Sequence, residues 1–485
     1  MAVIRIGGVG AIRNGRTSPK PYRLRKSLIS PKSQSVAQLP WAERLLGHPG
    51  LLTIAYFLSL TVIIALLLLI PAASREPGST SPIVALFTAL SALSTCGIPV
   101  ENTATHWTVF GQAIILVGVQ LGGLGVMTFA ALITLFMNRR MNISQQLLTA
   151  REVGVTKLGE VKGVLAMVFA TTFLMEAITF VALYPGLLRL NGHHWGIAAW
   201  EALFYAVSSF NNTGFTPDAS GFYVNNWSVG LPVMVSAFLG TLGFPVLHEM
   251  SRTITRRLSP RRWSLHTKLT LSATFVLVAV SLIWFLADEW NNPALFANAD
   301  ASTRLRGALS SAVMPRSSGF DLSWVPWVSD ETKLYMSVSM FIGGGSSSTA
   351  GGIHVTTFAV LVLTMLATFQ GRDEVTAFRK RIPGRIVRSA ISMTMACAIV
   401  VFVASMALMQ VTGRSLTDAL FETCSAFSLG GYTVGVADED NPATMIILGA
   451  VMFFGRIGPM TIVYAINKPR GSVVIHYPDE PVSVG

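Results

Sequence analysis

The chain has 485 residues, 51% of them hydrophobic and only 12% charged, with a mean hydropathy of +0.55. Soluble domains carry about 25% charged residues, so this composition excludes a water-soluble globule and implies a membrane protein. The net charge of +12 invites a nucleic-acid partner, but its distribution along the chain, described below, argues against one.

Residues 1–50 are basic, contain Pro and Ser, and have no apolar run of their own. They are read as a cytoplasmic tail suited to an anionic lipid surface. About 20 apolar residues cross the hydrocarbon core. Leu51 to Ile70 meets that length, and further spans are predicted at 108–136, 163–184, 228–250, 267–287, 333–369 (interrupted), 389–410 and 443–466. Between alternate pairs lie segments too short to cross, at 82–96, 199–213, 304–318 and 415–430. Such half-length helices are tolerated at membrane depth only where they line a cavity. The organisation predicted is therefore all-α: eight spans in four span, half-helix, span repeats, at 51–136, 163–257, 267–369 and 388–467. A C-terminal tail follows at 468–485.

Lys and Arg are sorted by loop. The two tails and the segments 137–163, 250–268 and 370–388 hold 28, while the alternate loops hold 7 and Arg456 stands alone. This asymmetry places both termini in the cytoplasm. The cysteines Cys96, Cys397 and Cys424 have no metal-ligand spacing and are read as buried small side chains. The pair His193–His194 has no ligand spacing either. The acidic run Asp438, Glu439 and Asp440 is read as a solvated external loop.

The repeat is legible letter by letter. SPIVALFTALSALSTCG ends at Gly97, AAWEALFYAVSSFNNTG at Gly214, TRLRGALSSAVMPRSSG at Gly319 and SLTDALFETCSAFSLGG at Gly431. Ten residues earlier stand Phe87, Phe204, Leu309 and Phe421; the residue after each glycine is Ile98, Phe215, Phe320 or Tyr432. A second echo, 24–26 residues on, reads LGGLG (Leu121–Gly125), LGTLG (Leu239–Gly243) and FGRIG (Phe454–Gly458), with Gly343–Gly345 at the matching distance. Repeats in one orientation suggest pseudo-symmetry about a single axis.

A cation stripped of water needs oxygens in place of its hydration shell, and rings of backbone carbonyls supply them. Glycine suits the narrowest level, because successive inward carbonyls need backbone angles that a Cβ disfavours. The predicted selectivity filter is thus Thr95, Cys96 and Gly97, Asn212, Thr213 and Gly214, Ser317, Ser318 and Gly319, and Leu429, Gly430 and Gly431. The half-helices also aim their partly negative C-terminal ends at the cavity.

These motifs resemble the Trk/Ktr/HKT potassium transporter superfamily over residues 45–485, closest to its KtrB/TrkH-type membrane subunits. FNNTGF resembles the family's second pore loop, and SSTAGGI (Ser347–Ile353) and GRIGPM (Gly455–Met460) match elsewhere. MPRSSGF and LGGYT depart from the family's third and fourth loops but keep the central glycine. The resemblance implies potassium uptake across the plasma (inner) membrane as transported cargo, with sodium open as a coupling or activating ion and no organic cofactor. It also implies a homodimer in membrane lipid, with a cytosolic nucleotide-binding subunit of the TrkA/KtrA type controlling the gate and IHYPDEPVSVG near that interface.

FIGGGSSSTAGGI breaks the span at 333–369 with glycines that cost about 1 kcal/mol each relative to alanine in a helix. It lacks a GKS or GKT phosphate-loop ending. The resemblance makes Gly343, Gly344, Gly345, Ser346, Ser347, Ser348, Thr349, Ala350, Gly351 and Gly352 an intramembrane gate, with Arg456 beside it. A charge in an apolar span points to function; helix bracing through pore-helix carbonyls is the other reading of Arg456. Glu176, Glu201 and Glu422 are read as bridges between repeats or as cation attractors. An enzyme is not expected, since no catalytic spacing appears. The rivals are a sodium-permeable channel of the same fold and an alternating-access solute carrier; equal spacing of the four glycines (117, 105 and 112 residues) speaks against the latter.

Overall fold

The computed structural model describes residues 49–125, 161–218, 226–257, 259–296, 299–316, 318–320 and 324–458. The expected C-terminal tail, most of the N-terminal tail, Ser317 and the ends of the spans 108–136 and 443–466 lie outside them. The fold is mostly helical. Its main helices are α1 (Pro49–Leu68), α2 (Pro82–Ser94), α3 (Val109–Gly123), α4 (Val161–Leu190), α5 (Trp195–Phe210), α6 (Trp227–Leu242) and α7 (Phe244–Thr255). There follow α8 (Leu265–Asp288), α9 (Ala301–Val313), α10 (Asp330–Ile342), α11 (Val355–Phe369), α12 (Gly384–Thr412), α13 (Leu416–Ser428) and α14 (Pro442–Ile457).

Local chemistry sets the starts. Pro82 opens α2, where its missing N–H costs nothing. The side chains of Asp300 and Ser415 accept from backbone N–H groups in the first turns of α9 and α13, satisfying donors that a helix end leaves free. Each short helix packs between its neighbours in sequence: α2 against α1 and α3, α5 against α4 and α6, α9 against α8, and α13 against α12 and α14. Contacts between successive units run α3 to α5, α6 to α9, α10 to α13 and, closing the series, α14 to α2.

The distribution of polarity is inverted relative to a soluble protein. Large apolar side chains stand exposed on the outer faces, including Leu66, Phe173, Val181, Phe275, Ile283, Ile399 and Phe402. The centre instead buries Ser91, Ser94, Thr95, Ser208, Ser209, Asn211, Asn212, Thr213, Ser425 and Ser428. An apolar belt of this extent marks a lipid-facing surface. Among the described residues three helices, Ala166–Leu190, Leu265–Asp288 and Gly384–Thr412, are long and apolar enough to cross a membrane. The pair α6 and α7 qualifies as a fourth if its two arms count as one span.

The structure adds two details to the predicted organisation. The span at 228–250 is bent, with α6 and α7 meeting at 105°. Gly243 joins them with φ +90, a backbone angle that L side chains avoid, and Pro245 falls in the first turn of α7. Between helices α11 and α12, Thr376–Ala377 pairs antiparallel with Lys380–Arg381 in a small hairpin. Phe378 and Arg379 both take positive φ at its turn, as a tight two-residue hairpin requires.

The second glycine echo has a packing cause. Side chains at Gly122, Gly240 and Gly455 would run into the backbone carbonyls of Leu93, Phe210 and Phe427, the residues four before Gly97, Gly214 and Gly431. Small residues allow such close helix approach in membranes. Replacing Gly122 by Val should therefore destabilise the protein by about 1–3 kcal/mol, the usual cost of overpacking. The check is a thermal melt of the detergent-purified protein; an unchanged midpoint would contradict the contact.

Candidate functional site

Each short helix ends in a turn that delivers the chain to its glycine. Thr95, Asn212 and Leu429, two residues before Gly97, Gly214 and Gly431, take φ of 61, 57 and 60. The N–H groups of Cys96, Thr213 and Gly430 then donate to the carbonyls of Ser91, Ser208 and Ser425 at 2.9, 2.9 and 2.8 Å. These are the αL closures that satisfy the last carbonyls of a helix. In the third unit Ser318 N–H donates to Met314 O at 2.8 Å. Ser91 Oγ donates to Ile98 O at 3.1 Å and Ser208 Oγ to Phe215 O at 2.8 Å, tying each strand beyond the glycine back to its helix.

The four glycines meet in a ring. A Cβ on Gly97 would strike the Thr213 carbonyl; on Gly214 it would lie 2.8 Å from the backbone N of Gly319. On Gly319 it would lie 2.6 Å from the Gly431 Cα, and on Gly431 2.5 Å from the Cys96 carbonyl oxygen. The order 97, 214, 319, 431 thus closes on itself, with backbone against backbone at every step. Gly97, Gly214 and Gly431 also have φ of +82, +90 and +74. Thr95, Cys96, Asn212, Thr213, Ser318 and Leu429 are buried around them, as is Gly430. Of the residues expected here only Ser317 lies outside the described residues.

Beneath the ring, on the side of the helix C-termini, runs the loop between α10 and α11. Gly345 N–H donates to Thr241 O at 2.8 Å and Gly351 N–H to Ser428 O at 2.9 Å. The hydroxyl of Thr349 and the side-chain amide of Asn212 are hydrogen-bonded at 2.7 Å. The Thr349 carbonyl accepts from Thr95 Oγ1 at 3.0 Å. One loop thus holds the first, second and fourth turns at once. Ser346, whose hydroxyl bonds Thr356 at 2.6 Å, Ser347, Ser348, Ala350 and Gly352 complete its course.

Arg456, in the last turn of α14, reaches the same place. Its Nη1 donates to Thr349 O at 3.0 Å and to Thr95 Oγ1 at 3.2 Å, and its Nη2 donates to Gly122 O. The planar fork of a guanidinium suits three acceptors held in fixed directions. Arg456 thus lies against the loop, while the helix carbonyl it reaches, Gly122 O, belongs to the span α3 and not to a pore half-helix as the bracing reading expected.

Of the three acids read as bridges between repeats, Glu176 bonds across two repeats, whereas Glu201 and Glu422 bond within their own repeats. Glu176 accepts from Asn211 Nδ2 at 3.1 Å and Gln120 Nε2 at 3.3 Å, joining α4 to α5 and α3. Glu201 accepts from Asn191 at 2.6 Å. Glu422 accepts from Thr433 Oγ1 at 2.7 Å and Val434 N–H at 2.9 Å. Sequence reasoning missed Thr241, Ser428, Asn211 and Gln120 as holders of this centre; polar residues in apolar helices were the available signal. It also passed over Arg316, which is 1% exposed three residues before Gly319. The cysteines Cys96, Cys397 and Cys424 are free and buried.

A model of the TrkH family of cation transport proteins matches residues 30–474. The chain belongs to that family. It is 34% identical over 439 residues to the Ktr system potassium uptake protein B of Bacillus subtilis, covering 90% of this chain and 96% of that one. The Ktr system potassium uptake protein B of Vibrio alginolyticus is 30% identical over 441 residues, covering 90% and 95%. The potassium/sodium uptake protein NtpJ of Enterococcus hirae is 29% identical over 427 residues, covering 86% and 93%. Among solved structures, the crystal structure of the potassium transporter TrkH from Vibrio parahaemolyticus aligns with a TM-score of 0.63 at 16% identity, covering 84% of each chain. At that identity the likeness establishes fold alone. As a TrkH-family member the chain is a multi-pass membrane protein of cation transport, not an enzyme.

If Arg456 pins the loop through Thr349, loosening it should expose the loop. In a Ser348→Cys background, Arg456→Gln should raise the rate of maleimide labelling about tenfold, the loss of one hydrogen bond to a charged group, with Arg456→Lys intermediate. Equal rates in all three proteins would show that the guanidinium does not hold the loop.

Proposed function

We propose that this chain is the potassium-translocating pore subunit of a Trk/Ktr-type uptake system. In this reading eight spans and four half-helices form four pseudo-symmetric repeats about one pore, with both termini in the cytoplasm. The closed ring of Gly97, Gly214, Gly319 and Gly431, each backbone against the next, is the observation that carries it. A ring of that kind can present carbonyl oxygens to a dehydrated cation, and the close backbone approach at each glycine supports that reading. The levels beside it, at Thr95 and Cys96, Asn212 and Thr213, Ser317 and Ser318, and Leu429 and Gly430, complete the filter.

The loop Gly343–Gly352 is the gate, and Arg456 is its latch. The cross-links to three of the four turns support this, since a segment bonded beneath the ring obstructs the axis until those bonds part. The Ktr and Trk systems for which the relatives are named lead to the remaining parts of the proposal: a homodimer in the bilayer and a cytosolic nucleotide-binding subunit that works the gate. Because NtpJ is named for potassium and sodium, sodium is the alternative cargo. Rubidium and sodium uptake in a host deficient in potassium uptake tests the whole reading, and sodium uptake without rubidium uptake would replace it.

Two variants address the parts. Gly97→Ser puts a Cβ and hydroxyl against the Thr213 carbonyl, so potassium preference over sodium should fall about tenfold, the effect of one displaced ligand. An unchanged ratio would remove Gly97 from the filter. Deleting Gly344–Ala350 should raise rubidium flux per inserted molecule in the absence of any partner subunit. Unaltered or abolished flux in a correctly inserted deletion protein would count against the gate.

A further inference from the structure

The four units are not held alike behind the ring. In the first two, a serine six residues before the glycine draws back the carbonyl of the residue after it, Ser91 to Ile98 and Ser208 to Phe215. The fourth unit has the same serine, Ser425, yet its buried hydroxyl makes no such bond among the described residues. A carboxylate does the holding there. Glu422, 0% exposed, accepts from Thr433 Oγ1 at 2.7 Å and from Val434 N–H at 2.9 Å. The Thr433 hydroxyl in turn accepts from Gly435 N–H at 3.0 Å. Residues 433–435, directly after Gly431 and Tyr432, are thereby tied to their own helix by a chain of three bonds. The positions equivalent to Glu422, nine before each glycine, are Thr88, Tyr205 and Ser310; none can offer two anionic acceptor oxygens.

We propose that Glu422 is a positioning residue that fixes the fourth strand of the ring and thereby sets the ion preference of the pore. The inference rests on the filter reading above. Its physical basis is that a carboxylate in a dry interior is stable only when its oxygens are saturated by donors. The two donors come from one short stretch of chain, so saturating the carboxylate dictates where that stretch lies. Hydrogen bonds to a charged acceptor are about twice as strong as neutral ones, which makes this tie stiffer than those of the first and second units. The other ties hold a carbonyl through a hydroxyl donor; this one holds N–H and hydroxyl through an acceptor. The fourth quadrant is therefore set by a different chemistry from the first and second, and a pore with four glycines need not be four-fold in stiffness. Glu422 touches no ion in this account. It acts through Thr433 and Val434.

The test uses the full chain reconstituted in liposomes, reading the ratio of potassium to sodium flux for wild type, Thr433→Val, Glu422→Gln, the double variant and Gly97→Ser. Thr433→Val keeps the side-chain shape and removes the two bonds of the hydroxyl, to Glu422 and from Gly435 N–H; Glu422→Gln removes the charge. Each should lower the ratio about three- to tenfold, and the double variant should lower it no further than the stronger single, because both break one tie. A purely structural role would lower thermal stability and leave the ratio unmoved. Unmoved ratios in the folded single variants, or losses that multiply in the double, would overturn the proposal. If Glu422→Gln does not fold, the ratio of Thr433→Val decides alone. The filter reading fails separately: wild type would show no potassium preference, or Gly97→Ser would match it. If those two behave as expected while Thr433→Val and Glu422→Gln equal wild type, only the role of Glu422 falls.

Discussion

The structure depends on backbone meeting backbone without an intervening side chain. Around the ring, and again where α3, α6 and α14 press on Leu93, Phe210 and Phe427, the limiting distance is set by main-chain atoms. Lipid offers no hydrophobic drive for helices to associate, so contact must come from fit and from polar pairing. Close approach at the glycines supplies the fit. Buried groups such as the Ser91 and Ser208 hydroxyls, the Asn212 amide and the Glu422 carboxylate supply the pairing, since a polar group left without a partner in a dry interior is costly. The same packing brings the backbones of Gly97, Gly214, Gly319 and Gly431 into mutual contact.

The loop under the ring extends this logic. Glycine-rich sequence has little helical preference, and here its backbone finds partners outside itself: Thr241, Ser428, Thr95 and Arg456. Non-helical chain at membrane depth is permitted only when its groups are answered in this way. The cost is that the loop's stability is borrowed from three other units, so a shift in any of them reaches it.

Much of this was legible in the sequence because glycine leaves a signature that hydropathy does not. The four-fold spacing of Gly97, Gly214, Gly319 and Gly431 located the ring, and the second echo located the helix contacts. The interruption at Gly343–Gly352 was visible as composition. The bend at Gly243 was hidden, because LGTLG reads as one more echo within an apolar run; the 105° angle between the two helices appears only in the structure. The tie made by Glu422 was hidden for another reason. Its partners lie eleven and twelve residues on, beyond any helical or strand period, so no pattern along the chain announces that they meet. Arg456 was flagged by its charge, but one letter could not say that a single guanidinium serves the loop and a helix together.

The bend between α6 and α7 has a mechanical consequence. Phe244 N–H donates to Ser347 O at 3.2 Å, while Thr241, on the other side of the bend, holds Gly345. The loop is thus gripped at the elbow. α7 is a 12-residue rod, about 18 Å long at 1.5 Å per residue. On it Glu249 is moored to the start of α8 through Ser264 Oγ at 2.7 Å and Thr267 Oγ1 at 2.5 Å. A rod with its pivot at the loop and its shaft fastened to the next unit is a lever. The loop at Ser347 and the start of α8 are thereby joined through α7 by hydrogen bonds that do not involve the ring.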